Sequence, residues 1–135
     1  MRRITALILL SLVIPSGVWA DFVGTQRQAV QKVAEPILNN LLEGYNKGDY
    51  AQYARNFDDT LREAVTEKKF LQVRQELMKK LGEFKNKEYL GFLNQQRYTV
   101  VLWKSKFSAT EDDILIRLVL SRRPDKVVVV GLYFQ

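Results

Sequence analysis

The chain has 135 residues, 21 of them Lys or Arg and 15 Asp or Glu, with a formal charge of +6 and neither Cys nor His. The missing Cys removes disulfides, thiol chemistry and Cys-based zinc sites, and the missing His removes the commonest metal ligand and general base, so any catalysis falls to Asp, Glu, Lys, Tyr or Ser. Basic and acidic residues are interspersed, as in Lys47-Gly48-Asp49 and Glu76-Leu77-Met78-Lys79, which describes a mixed solvated surface and not a nucleic-acid interface.

Arg2 and Arg3 precede an uncharged apolar run, Thr5 to Ile14, that closes with Pro15-Ser16-Gly17-Val18-Trp19-Ala20. This is the layout of a secretory signal peptide, with Val18 and Ala20 at the positions a signal peptidase reads. The run is shorter than the roughly 20 residues that span a bilayer. No Cys follows it for lipid attachment, so no stable membrane anchor is expected and cleavage near Ala20 should release a secreted or periplasmic protein starting at Asp21. Residues 21–135 then form a single domain, and because two of the 21 basic residues leave with the leader, 19 remain against 15 acidic ones, a net charge of +4.

From Thr25, a plausible N-cap, apolar residues at Val30, Val33, Ala34, Ile37, Leu41 and Tyr45 mark one helical stripe, widened by Leu38 and Leu42. Pro36 should bend this helix, and Gly48 can end it. Asp49 caps a second helix with Tyr50, Tyr53, Ala54 and Phe57 inward, ending at Asp58-Asp59. Thr60 to Val65 reads two ways: Thr60 and Glu63 form a capping box, while Leu61 and Val65 suit a short strand. Thr66 caps a further helix whose Phe70, Val73, Leu77 and Leu81 share a face, ending at Gly82.

After Gly82 the period falls to two, giving extended runs over Phe84 to Leu93, Tyr98 to Phe107, Ile114 to Ser121 and Val127 to Phe134. Their connections are too short for parallel crossovers. The expected fold is α+β, with three N-terminal helices packed on a curved four-stranded antiparallel sheet. In the last two strands both faces are apolar: Ile114, Ile116, Leu118 and Leu120 oppose Leu115 and Val119, and Val127 and Val129 oppose Val128, Val130, Leu132 and Phe134. One helical layer covers one face, so the second face is expected to pair in a homodimer, unless the sheet closes on itself.

Gly48-Asp49-Tyr50, then Phe57-Asp58, Leu61 with Val65-Thr66, a helix containing Phe70 and Leu77, and Gly82 ahead of four strands resemble small secreted domains of unknown function in the nuclear-transport-factor-2-like superfamily. The resemblance covers roughly residues 25–135 and implies a cystatin-like cone, in which a curved antiparallel sheet wraps a long helix. That superfamily holds isomerases, dehydratases and hydrolases as well as binding and dimerisation modules, so the fold leaves function open.

In such a cone, Tyr45, Tyr50, Tyr53, Phe57, Phe70, Trp103 and Tyr133 would fall on or near inward surfaces, where they serve either a small apolar or amphipathic ligand or simply the core. Arg117 interrupts the apolar strand face between Leu115 and Val119; it needs an anionic ligand, a carboxylate such as Glu88, or a dimer rim. Asp49, Asp58, Asp59 and Glu63 match helix caps and no calcium loop, so neither metal nor cofactor is expected. The leading expectation is a non-enzymatic binding or assembly module; the alternative is a small lyase, isomerase or hydrolase using a tyrosine and a buried carboxylate, with Glu88 or Glu63 as candidates.

Overall fold

The computed structural model describes residues 21–135, so the expected leader and its cleavage site after Ala20 lie outside the described residues. Among the described residues four helices, α1 (Arg27–Lys47), α2 (Tyr50–Tyr53), α3 (Asp59–Ala64) and α4 (Glu67–Lys80), precede four strands, β1 (Phe84–Gln95), β2 (Tyr98–Phe107), β3 (Ile114–Arg122) and β4 (Val127–Phe134). The strands form one antiparallel meander in the order β1-β2-β3-β4, an α+β arrangement as the change of period implies. The sheet is open, with β1 and β4 at its edges.

The buried stripe of α1, Val30, Ala34, Leu38, Leu41, Leu42 and Tyr45, packs on the inner sheet face of Val101, Trp103, Ile116, Leu118, Leu120 and Val129. α1 runs as one helix through Pro36, and Gly48 closes it in the left-handed region at φ 72°. Register shifts at Phe84/Asn86 and Tyr89/Gly91 in β1, and at Val119/Leu120 opposite β4, are bulges, which bend strands and raise local twist. Gly82 turns α4 into β1 at φ +80°, where a Cβ would stand 2.3 Å from the Ser108 Oγ and 2.7 Å from the Ala109 N.

Several local expectations are corrected. Thr25 is not the cap of α1; Gln26 holds that place with no side-chain hydrogen bond. The approach to α1 is instead fixed by the sheet: Val23 N–H donates to Thr99 Oγ1, Asn94 donates to the Gly24 carbonyl, and Arg122 donates to the Phe22 and Val23 carbonyls. Asp49 and Thr66 do cap α2 and α4, accepting from Gln52 N–H and Lys69 N–H. The second helix stops at Tyr53, short of Phe57, because residues 56–58 pair with β4: Val129 N–H donates to Asn56 O at 2.7 Å and Asp58 N–H to Val129 O at 3.0 Å. Asp58 does not end α2 but caps α3, accepting from Leu61 N–H at 2.8 Å. Of the two readings of Thr60 to Val65 the helical one holds, with the helix ending at Ala64 and Val65 as its C-cap, and the described residues hold four helices where three were expected.

Candidate functional site

A groove of about 340 Å³ opens between α4 and the C-terminal half of β4. One wall is Val73 and Leu77, a helical turn apart on α4, together with Tyr53 from α2. Sequence spacing puts Val73 on the buried face of its helix, yet it is 44% exposed: Phe70 is buried and Leu77 and Leu81 pack against the core, while Val73 faces the groove. The other wall is the run Leu132 to Gln135, with Arg117 reaching it from β3.

The β4 edge along this wall is open. Gln135 and Leu115 exchange both backbone hydrogen bonds, at 2.8 and 2.7 Å. In an antiparallel ladder such pairs alternate, so Tyr133, in register with Arg117, turns its polar groups inward while those of Leu132 and Phe134 face outward. Among the described residues the only segment paired to that outer edge is the bridge of Phe57 to Val129, which lies before this stretch.

Arg117 is the charged group of the groove. Its guanidinium carbon stands 4.6 Å from the centroid of the Tyr133 ring. Its Nε is buried and has no hydrogen-bond partner among the described residues. Glu88, expected as a partner on a neighbouring strand, is two strands away from Arg117; it sits directly opposite Lys104 in the register and pairs with that residue at 3.5 Å. On the other wall, the Tyr53 ring stacks 4.4 Å from Phe70 and 5.4 Å from Phe57, and burial pushes its hydroxyl up to about 12, so it remains a neutral donor.

The structure thus brings Tyr53, Arg117 and Tyr133 together and places the remaining candidates in the packed interior. Tyr45 is 1% exposed, wedged between Phe107 and Phe134, with its hydroxyl donating to Gly82 O at 2.8 Å. Trp103 is fully buried, and Phe57 and Phe70 are buried with it. Tyr50 leans on Phe70 and donates to Val65 O at 2.6 Å. These aromatics tie the helices to the sheet and to one another, and the space beneath the curved sheet is filled by side chains.

A second polar cluster escaped the sequence reading. Glu35 of α1 accepts from Lys87 of β1, from Trp103 Nε1 at 3.0 Å and from Gln31 Nε2 at 3.2 Å. Burial alone pushes the Glu35 carboxyl up, but these hydrogen bonds together outweigh it and hold the group below its ordinary value. The available signal was parity: Lys87 lies two positions from Tyr89, on the strand face that meets the core. Both carboxylate oxygens are engaged, so the cluster works as a tie between α1 and the sheet and offers no free acid or base. Glu63 and Glu88, the carboxylates considered for catalysis, are exposed. Asp49 and Asp58 are caps, Asp58 also meeting Arg123 at 3.3 Å, and no group of acidic residues among those described is arranged to hold a metal ion.

Residues 39–123 match the family described as protein of unknown function (DUF3887). The chain belongs to this family. The matched stretch runs from within α1 to the end of β3, so β4, which forms one wall of the groove, lies beyond it. Neither a curated protein nor a solved structure matches the chain. No described helix is long and apolar enough to cross a membrane.

Proposed function

We propose that this chain is an exported, non-enzymatic binding module with a nuclear-transport-factor-2-like cone, and that its ligand is an amphipathic anion held in the groove between α4 and β4. The observation that carries the reading is Arg117: a buried Nε–H without a partner among the described residues, on a cation stacked over Tyr133, in a groove with an apolar wall. Buried polar groups are nearly always satisfied, and an orphan donor at a groove is most simply satisfied by what the groove binds. Val73, Leu77, Leu132 and Phe134 would take the apolar body, and Arg117 the anionic group through its forked donors. Supporting binding over catalysis, Glu63 and Glu88 are exposed to solvent, and Glu35 is saturated with hydrogen bonds.

Export is supported by the Arg2-Arg3 pair, the apolar run after it, and Ala20. At the start of the domain, Asp21 is bound into the sheet through two backbone hydrogen bonds with Arg122, so cleavage there would leave an N-terminus already anchored.

Calorimetric titration with decanoate, decanol and decyltrimethylammonium tests the groove. Decanoate should bind, the neutral and cationic homologues should bind at least about tenfold more weakly, and Arg117→Met should remove the difference between decanoate and decanol. Equal binding of all three, or none, would overturn the reading.

A second reading concerns assembly. On the outer sheet face Leu93 is 50% and Tyr98 38% exposed, beside the half-buried Leu102, Leu115 and Val119, and this apolar surface supports a homodimer formed face to face.

A further inference from the structure

We infer that the occupant of this groove is the C-terminal end of an extended peptide, added antiparallel to β4 as a fifth strand with its terminal carboxylate on Arg117. The inference rests on the groove being the binding site and names the class of ligand.

Free backbone groups come first. Leu132 and Phe134 turn their N–H and C=O groups outward from an edge strand, which is the arrangement that accepts another strand. The opposite wall is helical, with Val73 and Leu77 one turn apart and roughly 6 Å between them. Alternate side chains of an extended peptide are spaced by about 7 Å, so two of them on one face would meet those two helix residues. A rigid small molecule would use the apolar wall and leave the ladder groups unpaired; a peptide uses both.

Direction follows from what blocks the edge. Residues 56–58 already occupy β4 at Val129, so an added strand must stop or leave the sheet there. The open stretch, Leu132 to Phe134, spans about 10 Å and takes three or four residues. A peptide running antiparallel to β4 brings its C-terminus to the blocked end, and a parallel one brings its N-terminus. Arg117, in register with Tyr133 and carrying no ion pair among the described residues, would repel a terminal ammonium and attract a terminal carboxylate. Arg117 stands at the middle residue of the open stretch, so its charge selects a free carboxyl end, and the block at Val129 leaves the rest of the peptide to extend past Phe134, which makes the direction antiparallel.

The test titrates the purified protein with the acetylated tetrapeptide Thr-Val-Leu-Val bearing a free carboxylate, with its C-terminal amide, and with the acid N-methylated at the third residue, while amide resonances are followed by NMR. The free acid should bind about tenfold or more tighter than the amide. Arg117→Met should bring the acid down to the amide's affinity, N-methylation should weaken binding, and the amides of Leu132 and Phe134 should shift. Equal affinity of acid and amide, or shifts confined to other strands, would overturn the inference. Binding of decanoate without binding of any peptide would overturn the peptide while leaving the groove as a site for an amphipathic anion; failure of both would remove the groove altogether.

Discussion

Replacing Arg117 by Met should make the unliganded protein more stable, not less. Three terms decide the sign. The buried Nε–H, with no partner among the described residues, costs about 1–3 kcal/mol of lost hydration, and Met removes it. The guanidinium over Tyr133 at 4.6 Å contributes about 0.5–1 kcal/mol at a partly exposed site, and Met forfeits it. The apolar stem packs along the strand in either case. The balance favours Met by about 1 kcal/mol, which for a domain of this size raises Tm by about 3–6 °C. Thermal unfolding followed by circular dichroism without ligand, with a urea titration as a check, reads both numbers. A loss of 1 kcal/mol or more would refute the reasoning, because it would mean that Arg117 has a partner holding the fold together. A gain, alongside lost decanoate binding, is the signature of a residue kept for what it binds.

Glu35→Ala leaves Lys87 and the Trp103 N–H without their shared acceptor and should cost about 3 kcal/mol in urea unfolding. Because the folded Glu35 carboxyl lies below its ordinary value of 4.5, its contribution is present above that value and is lost as pH falls through the lower folded one; Glu35→Gln should flatten the acid limb of the stability profile. Gly82→Ala forces a side chain onto Ser108 and Ala109 at positive φ and should lower stability by about 2–3 kcal/mol, measured by the same unfolding curves. If the outer face pairs, light scattering after size exclusion should give a dimer for the native protein and a monomer for Leu93→Glu, and a native monomer at high concentration would remove the pairing.

What could be read in advance followed how local each determinant is. The spans of β2 and β4 emerge from alternation and turn residues alone, and α1 from its apolar stripe. The early end of α2 at Tyr53 was hidden because its cause, the pairing of residues 56–58 with Val129, joins segments about 70 positions apart. Arg117 was conspicuous as a charge on an apolar strand face, but its neighbours depended on register, and register gave Glu88 to Lys104. The aromatic candidates divided by burial: helical spacing cannot tell Tyr45, which is enclosed, from Tyr53, which borders a groove. Nothing local marks Glu35 and Lys87 as a pair, since only the inward parity of Tyr89 places Lys87 toward the core.

The arginine Nε–Hε resonances offer the most direct view of the groove. In a titration of the isotope-labelled protein with decanoate, the Arg117 signal should move and its exchange with water should slow, while those of Arg74 and Arg122, whose Nε–H groups already donate to backbone carbonyls, stay in place. A stationary Arg117 signal at saturating decanoate would contradict the account.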